Sequence, residues 1–579
     1  MKKSKRMTLK GVICTCFAAL LTGMLVFDSV YPCPPHPDLL KARTTRESAA
    51  LNLSPLPNST DLHARGIDLP EDRFGTRRGG RNALEGPSVR RFHILALLVD
   101  FSDHEFQTSA TFFDTLVFGP GIGTVSDYFD EISYGKIDLV TVNLPSTLDW
   151  TRAPQQYAYY TNNFYGIGLY PRNSQKLVEE LVDAVDTVVD FSDYDNDSDG
   201  YVDMLVVIHA GPGAELSGNT GDIWSHKWAI SPRLTGDGVH VSTYTIQPEF
   251  WLWSGDMTCG VFCHEMMHGF GLPDLHDIED ASSNGIGRWD IMAAGAWNGI
   301  LGNSPAHPCA WGLAKLGLAR VRNVTTDRLD LLIRPVAQRS GFIYRLWTSG
   351  VKSNEYFLVE NRQRVGYDAA LPGEGLLIWH IDDTKTNNDK EWYPGLPERI
   401  HYLVALEQAD GLYELEHAND FGDASDPWPG SRGRTSFNGG SVPSSDGYGT
   451  GDSFVAVENI SVTTQGIRAD LLVGSLPARE LTSLSPIQAL PPSQNYPNPF
   501  NPTTEIVFNV PDAADVILEI YNLLGQRVTT LIDGLVNTGE HRVKWDGLTD
   551  SGQPVATGVY FYRLQIGDFT ETKKMLLLK

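Results

Sequence analysis

One stretch constrains this chain more than any other: Cys263 to Asp274, which reads CHEMMHGFGLPD. His264 and His268 are four residues apart, so on an α-helix both imidazoles project from one face and can reach the same cation. Imidazole nitrogen suits zinc, and a catalytic zinc site uses three protein ligands and leaves a fourth position to water. Glu265 has the position of the general base in this pattern. The stretch therefore predicts a helix that carries two metal ligands and a catalytic base.

The residues that follow predict the rest of the site. Gly271 can adopt a left-handed conformation at low cost and Pro273 keeps the helix from resuming, so the chain should turn sharply here. Asp274 then falls where the extended pattern HExxHxxGxxH has its last histidine, and a carboxylate oxygen can also bind zinc. Further on, Trp289 to Gly295 is a candidate methionine turn with Met292 as the apolar floor. The prediction is zinc on His264, His268 and Asp274, Glu265 as base and Met292 as support.

These motifs carry a resemblance to a known family. The runs His264 to Asp277, Gly287 to Trp297 and Gly375 to His380 resemble the immune inhibitor A family of secreted bacterial zinc metallopeptidases, which are metzincin-like. The resemblance covers about residues 90 to 475. It implies an enzyme, a secreted zinc endopeptidase that hydrolyses peptide bonds of extracellular proteins through a metal-activated water. His276 is a departure, because the family usually has tyrosine there; it could support a neighbouring ligand, compete as a ligand, or be neutral.

The distribution of helical and strand-like runs predicts an α+β chain. Helical and strand runs alternate through 91–322, which we expect to be a metzincin-like catalytic domain with a twisted mixed sheet and an active-site helix. Strand-like runs separated by turn residues predict a β-rich domain over 323–475. A Pro/Ser-rich linker over 476–494 precedes short alternating strands over 495–579, which predict an immunoglobulin-like β-sandwich.

The N-terminus predicts export and a zymogen. Basic residues from Lys2 to Lys10 precede an apolar run from Gly11 to Phe27, as in a signal peptide over 1–29, although a membrane-anchoring helix is the alternative. Residues 30–90 are rich in Pro and Arg and predict a propeptide or linker. Its Cys33 could bind the zinc as a latency thiolate. The following arginines mark either a maturation cut or a solvated linker: Arg73, Arg77, Arg78, Arg81, Arg90 and Arg91.

An acidic loop predicts a second kind of metal. Asp195, Asp197, Asp199 and Asp203 fall at positions one, three, five and nine of an EF-hand-like pattern, but Val206 stands where the bidentate glutamate should be. So many carboxylates repel one another unless a cation joins them, and hard oxygen ligands select calcium. The alternative is a solvated loop. Asp423 and Asp426 could hold another cation, although an acidic loop explains them equally well.

His226 is a further candidate. The run Ile223 to Trp228 resembles a family element near the active cleft, so His226 could contact the substrate or the transition state. The alternative is a packed or surface histidine.

The C-terminal module carries a second resemblance. The runs Leu523 to Gln526 and Gly558 to Tyr562, with the tail Lys573 to Lys579, resemble the C-terminal sorting domains of the type IX (Por) secretion pathway. This implies the type IX machinery as a partner, passage across the outer membrane, and a secreted or surface-attached product. A plain adhesion or carbohydrate-binding sandwich is the alternative.

Net charge excludes one class of partner. The formal charge of -25 argues against nucleic acid, because phosphate binding needs a basic surface, and it suits a calcium-rich exterior. Two other functions remain open: a surface adhesin or scaffold with an inactive protease-like domain, and another zinc amide hydrolase. Intact Glu265 argues against the inactive domain.

Overall fold

The computed structural model of the chain describes residues 33–37, 90–278, 282–338, 341–347, 350–396, 400–448, 451–474, 495, 497–510, 514–523, 525–537, 539–550, 552–566 and 569–578. The chain divides into two units, Met1–Ser475 and Leu476–Lys579. The predicted signal peptide, most of the predicted propeptide with Arg73, Arg77, Arg78 and Arg81, and the predicted linker lie outside the described residues. No helix within the described ranges has the length and apolar character needed to cross a membrane.

The N-terminal half of the first unit is built on a mixed five-stranded sheet. Its strands occur in the order β4-β2-β5-β7-β6, and only β6 runs antiparallel to its neighbour. β2 is buried along its whole length, because a strand between two parallel neighbours is covered on both faces. The strands are β1 Arg90–His93, β2 Leu95–Asp100, β3 Ile137–Val140, β4 Trp150–Arg152, β5 Leu205–Pro212, β6 His226–Leu234 and β7 His240–Phe250.

Helices cover this sheet. The helical spacing of Leu177, Leu181, Val185 and Val188 predicts a helix that includes Val188, but helix α5 stops at Val185, and Val188 lies beyond it with 65% of its surface exposed. The run Pro305 to Leu316 also predicts a helix, but helix α8 begins only at Ala310, because proline lacks an N–H and disfavours a helical residue before it. The helices are α1 Ala110–Phe118, α2 Val125–Ile132, α3 Pro145–Leu148, α4 Tyr157–Thr161, α5 Ser174–Val185, α6 Ala214–Ser217, α7 Cys259–Gly269 and α8 Ala310–Lys315, with 3-10 turns at Phe191–Tyr194, Gly287–Trp289, Ala294–Trp297 and Gly366–Ala370.

The C-terminal half of the first unit is rich in strands. One sheet has the order β13-β12-β11-β10-β8 and a second the order β14-β15-β9. Successive side chains of β11 enter two different cores: Leu358 packs with residues of the N-terminal half, and Phe357 and Val359 pack under the second sheet. The strands are β8 Val321–Val324, β9 Arg328–Ile333, β10 Ile343–Trp347, β11 Glu355–Arg362, β12 Gly375–Asp382, β13 Val404–Leu406, β14 Ala456–Thr463 and β15 Gly466–Leu472.

The second unit is a small β-sandwich. A two-stranded antiparallel sheet of β16 and β19 and a four-stranded sheet in the order β18-β17-β20-β21 share one apolar core, which contains Trp545 and Tyr562. Burial alternates along β20, as expected for a strand with one face on a core. The strands are β16 Thr504–Val510, β17 Ala514–Asn522, β18 Arg527–Val536, β19 Gly539–Trp545, β20 Gly558–Ile566 and β21 Phe569–Leu577.

Candidate metal centre

The site is organised by α7, every residue of which is buried. The helix lies unusually close to the loop behind it: a Cβ added to Gly260 would stand 2.1 Å from the carbonyl oxygen of Ala296 and 2.7 Å from that of Gly302. Only glycine permits this approach. The close packing holds His264, Glu265 and His268 on a fixed helix face.

Hydrogen bonds set the tautomer of both histidines. Nδ1 of His264 lies 2.8 Å from the carbonyl oxygen of Ile291, and Nδ1 of His268 lies 2.9 Å from that of Leu272. Because a carbonyl oxygen only accepts, both Nδ1 atoms carry the proton and both Nε2 atoms keep a lone pair. Burial also lowers the pKa of His268 to about 3, so this imidazole is neutral, as a metal ligand must be.

The turn after α7 brings a carboxylate to these lone pairs. Gly271 has φ +99°, a conformation open to glycine, and the chain reverses there. Asp274 Oδ1 then lies 3.4 Å from His264 Nε2 and 3.6 Å from His268 Nε2. Ligands of a tetrahedral ion with bonds of 2.0 to 2.1 Å stand about 3.3 Å apart. None of the three atoms has a hydrogen-bond partner among the described residues, so the donor set fits a zinc ion.

His276 adjoins the same carboxylate. Its Nε2 lies 3.2 Å from Asp274 Oδ1. Burial works to raise the pKa of Asp274, but His268 and His276 outweigh it and hold that pKa well below its usual range. Asp274 is therefore ionised. The structure places His276 beside a predicted ligand, where it can orient the carboxylate or compete for the metal.

A turn around Met292 holds the ligand segments in place. The Ile291 carbonyl accepts from His264, and the Met292 carbonyl accepts from the N–H of Leu275 at 2.8 Å. The carboxylate of Asp290 accepts from the N–H groups of Met292 and Cys309. The Met292 side chain is fully buried. Asp290 is a supporting residue that the sequence did not single out, since one of its two partners lies 19 residues away.

A buried ion pair supports this turn from the β-rich half. Arg362 donates to Asp368 at 2.6 and 2.8 Å and lies 3.4 Å from Glu360. Asp368 also accepts from the N–H of His307, and Glu360 accepts from that of Ala310. The segment 307–310 is thus held between these carboxylates and Asp290.

Glu265 and Cys33 both lie close to His264. Potential ligand atoms of Cys33, His264 and Glu265 lie within 4.8 Å of one another, and all three residues are buried. A carboxylate next to a predicted metal ligand is close enough to act in proton transfer, whereas a thiol there is itself a potential ligand.

His226 lies in the core of the first unit. Its Nε2 is 2.8 Å from the hydroxyl of Ser174, and its Nδ1 is 2.7 Å from the carbonyl of Trp224. The side chain is fully buried at the start of β6. These contacts correspond to the packed histidine that the sequence left as the alternative.

The acidic loops differ in how tightly they converge. Oxygens of Asp195, Asp197 and Asp199 lie within 4.8 Å of one another, whereas Asp203 instead accepts from the N–H of Asn196 at 2.6 Å. Burial raises the pKa of Asp203 to about 7. Two more groups form in the β-rich half: Asp410, Asp423 and Asp426, and Glu414, Asp420 and Asp423.

Comparisons with known proteins agree with these observations. Residues 95–313 match the family model described as Immune inhibitor A peptidase M6, catalytic domain, and residues 496–566 match that of the FlgD Ig-like domain. Residues 95–313 are therefore similar to a peptidase M6 catalytic domain, and residues 496–566 to an Ig-like domain. This confirms the predicted resemblance for the peptidase domain and the predicted Ig-like module.

Curated relatives cover only part of the chain. Immune inhibitor A of Bacillus thuringiensis subsp. alesti is 30% identical over 275 residues, which are 38% of this chain and 38% of the relative. Pre-pro-metalloprotease PrtV of Vibrio cholerae serotype O1 (strain M66-2) is 30% identical over 194 residues, 28% of this chain and 20% of the relative. The chain thus spans well under half the length of these relatives. The family and these names support a metallopeptidase.

Among solved structures, PorZ of Porphyromonas gingivalis, a surface component of the type-IX secretion system of that bacterium, is 19% identical. The match covers 22% of this chain and 15% of that chain with a TM-score of 0.12.

Proposed function

We propose that this chain is a secreted zinc-dependent endopeptidase that cleaves extracellular proteins and is made as a zymogen. His264, His268 and Asp274 would hold the zinc. The observation that carries the proposal is the spacing of 3.4 and 3.6 Å between the Asp274 oxygen and the two Nε2 atoms. Two nitrogens and one oxygen favour zinc over calcium or magnesium, which prefer oxygen ligands throughout.

With zinc bound, the site would gain a Lewis acid that polarises a scissile carbonyl and lowers the pKa of a bound water to about 7. Glu265 would accept the proton from that water and deliver it to the leaving amine. The carbonyl groups of Ile291 and Leu272 would keep the imidazoles in the orientation that the metal requires. Burial of Glu265 would keep bulk water from competing for the transferred proton.

The test uses the purified chain after an added protease has removed its N-terminal segment; the processed protein is loaded with zinc and given a quenched peptide as substrate. Glu265→Gln should lower kcat/KM by about 10²- to 10⁴-fold, because general-base catalysis contributes that much. Zinc content should stay unchanged, since Glu265 is not a proposed ligand. Glu374→Gln, an exposed glutamate of the same unit, is the control and should cleave at the original rate. Undiminished cleavage in Glu265→Gln, or in protein stripped of metal, would contradict the proposal.

Calcium would bind the acidic loops. The convergence of Asp195, Asp197 and Asp199 supports one site, and that of Asp410, Asp423 and Asp426 supports another. Burial, and then nearby carboxylates, raise the pKa of Asp426 to about 8, so a full negative charge there is unfavourable without a cation. Asp203 would join the first site only after releasing the N–H of Asn196.

The proposed route to the exterior begins with a signal peptide over 1–29 and ends with the second unit acting as a type IX sorting domain. The Ig-like match to 496–566 and the alternating strands up to β21 support a module of the required kind. The partner would be the type IX machinery, and the product would be released or attached at the cell surface. Fractionation of cells that produce the full chain and a chain ending at residue 475 tests this. Equal export of both would contradict a sorting role.

A further inference from the structure

A short N-terminal segment, Cys33 to Pro37, lies against the candidate metal centre. The next described residue in the sequence is Arg90, so the segment is separated from the rest of the described chain. The carbonyl oxygen of Cys33 accepts from the indole N–H of Trp224 at 2.9 Å, and that of Pro34 accepts from the indole N–H of Trp297 at 2.7 Å. Two successive main-chain groups are therefore held by two tryptophans that are separated by more than 70 residues in the sequence.

Further contacts continue along the segment. The N–H of His36 donates to the carbonyl oxygen of Glu215 at 3.1 Å, and the imidazole of His36 packs edge-on against Trp297 with ring centroids 5.0 Å apart. Trp251 packs on the same tryptophan at 4.9 Å. We call Glu215, Trp224 and Trp297 the groove clamp. These groups bind backbone atoms or a ring face, so they suit any extended peptide.

The composition of the segment pre-organises it for this role. Proline at positions 34, 35 and 37 fixes φ near -65°, and each proline pushes the residue before it toward an extended conformation. An extended peptide that is already ordered loses little conformational entropy when it binds. Cys33, Pro34, Pro35 and Pro37 are buried, so the segment is enclosed by its neighbours rather than lying on the surface.

The thiol of Cys33 completes the arrangement. It lies within 4.8 Å of ligand atoms of His264 and Glu265 and is fully buried. His264 Nε2 has no hydrogen-bond partner among the described residues, which is an independent sign that a ligand belongs in this space. A catalytic zinc site has three protein ligands and one open position, and a thiolate is a strong zinc ligand.

We propose that Cys33–Pro37 is an intramolecular inhibitor that occupies the substrate groove, with the Cys33 thiolate closing the fourth zinc position and the groove clamp binding its backbone as it would bind a substrate. When the sulfur binds, its S–H bond breaks, a sulfur–zinc bond forms, and the proton passes to solvent. The inference rests on the proposed zinc site. It adds the latent state and assigns Trp224, Trp297 and the Glu215 carbonyl to peptide binding.

The first experiment tests by absorption spectroscopy whether a thiolate binds the metal. The full chain carrying Glu265→Gln, which prevents self-cleavage, is loaded with cobalt(II) in place of zinc. We expect near-ultraviolet thiolate-to-cobalt charge-transfer absorption, lost on adding Cys33→Ser and kept on adding Cys309→Ser, the matched buried cysteine. Visible cobalt bands in all three proteins would show an intact site. Charge-transfer absorption that is absent throughout, or that survives Cys33→Ser, would overturn the thiolate ligand and leave the proposed peptidase standing. Failure to bind cobalt at all would overturn both.

The second experiment needs no cysteine variant. In the Glu265→Gln chain, alkylation of Cys33 is followed by peptide mass spectrometry with zinc present and after its removal. A metal-bound thiolate is protected, so we expect labelling to be about tenfold slower or more with zinc. Cys309, a buried cysteine that the proposal does not assign to the metal, is the internal reference and should react at the same rate in both samples. Equal labelling of Cys33 with and without zinc would contradict the proposal.

The third experiment tests the groove clamp in enzyme from which the segment has been removed. Trp297→Phe deletes the indole N–H and keeps an aromatic ring, so we expect KM for a peptide to rise about three- to tenfold, the value of one hydrogen bond. The kcat should change less, because the residue positions the backbone away from the reacting atoms. Trp347→Phe, in β10, is the control. Unchanged KM in Trp297→Phe would refute the shared groove.

Discussion

The ion pair between Arg362 and Asp368 allows a stability prediction from the structure. Arg362 has no exposed side-chain surface and Asp368 has 1%. Replacing Arg362 with methionine keeps much of the volume but leaves two buried carboxylates without their cation, and breaking such a pair costs about 3–5 kcal/mol. Asp368 keeps the N–H of His307, and Glu360 keeps the N–H of Ala310 and the indole N–H of Trp379. Because these donors remain, we expect Arg362→Met to lower the free energy of unfolding by about 3 kcal/mol, the lower end of that range.

The loss of unfolding free energy caused by Arg362→Met should become smaller as the pH falls. Burial works to raise the pKa of Asp368, but Arg362 and His307 hold it below the ordinary value of 3.8. A carboxylate whose pKa is lower in the folded state contributes stability above its unfolded pKa and loses it as pH falls through the folded value. The difference between the original chain and Arg362→Met should therefore be full at neutral pH and shrink progressively below pH 3.8.

Tryptophan fluorescence during urea denaturation suits this measurement. All the tryptophans except Trp545 belong to the first unit, so the signal reports its unfolding. The Glu265→Gln background prevents self-digestion. Arg364→Met, at an exposed arginine just beyond β11, is the control and should change the free energy of unfolding by less than about 0.5 kcal/mol. A loss below about 1 kcal/mol for Arg362→Met, or one that persists undiminished in acid, would refute the reasoning.

Three further predictions concern the turn, the acidic loop and the sandwich. Gly271→Ala should cost about 1–3 kcal/mol in unfolding free energy and weaken zinc binding measured against a competing chelator, since alanine strains φ +99° and displaces Asp274 from the histidines. Unchanged zinc affinity would contradict this. Calcium at about 100 times its dissociation constant should stabilise the first unit by about 2.7 kcal/mol in calorimetry, and Asp197→Asn should reduce that gain, whereas Asp446→Asn, outside the acidic groups, should not. Trp545→Ala should lower the stability of the second unit by about 3–5 kcal/mol, seen as earlier proteolysis of that unit alone, because its ring fills the sandwich core.

Sequence patterns predicted the parts of the site that depend on local spacing. His264 and His268 meet because of helical periodicity, and Gly271 with Pro273 indicates the turn that leads to Asp274. The largely apolar run Phe92 to Phe101 likewise predicts a buried strand, and β2 lies within it. In each case the information lies within a dozen neighbouring residues, where backbone geometry fixes which side chains share a face.

The groove clamp could not be predicted in this way. Trp224 binds a carbonyl 191 residues away, and Trp297 binds one 263 residues away. An indole N–H that binds main-chain oxygen requires no particular partner side chain, so the sequence carries no paired signal. The same holds for Asp290, whose two N–H partners belong to a turn and to a distant helix start. Cys33 was a candidate from residue type alone, and only the fold shows what surrounds it.

The domain boundary that the sequence predicts near residue 322 does not separate two independent apolar cores. Leu358, Leu377 and Trp379 of the β-rich half pack in the same apolar core as Met292 and the residues of α7. Arg362 and Glu360 of β11 bind main-chain groups of the segment 307–310. Asp368 binds another, and the N–H of Cys309 in this segment donates to Asp290 of the turn around Met292. Since charged groups of strands far along the chain support the turn beneath the proposed metal site, the β-rich half helps to keep the proposed ligands together. The proposed catalytic function therefore depends on residues well beyond the stretch 95–313 that matches the peptidase family.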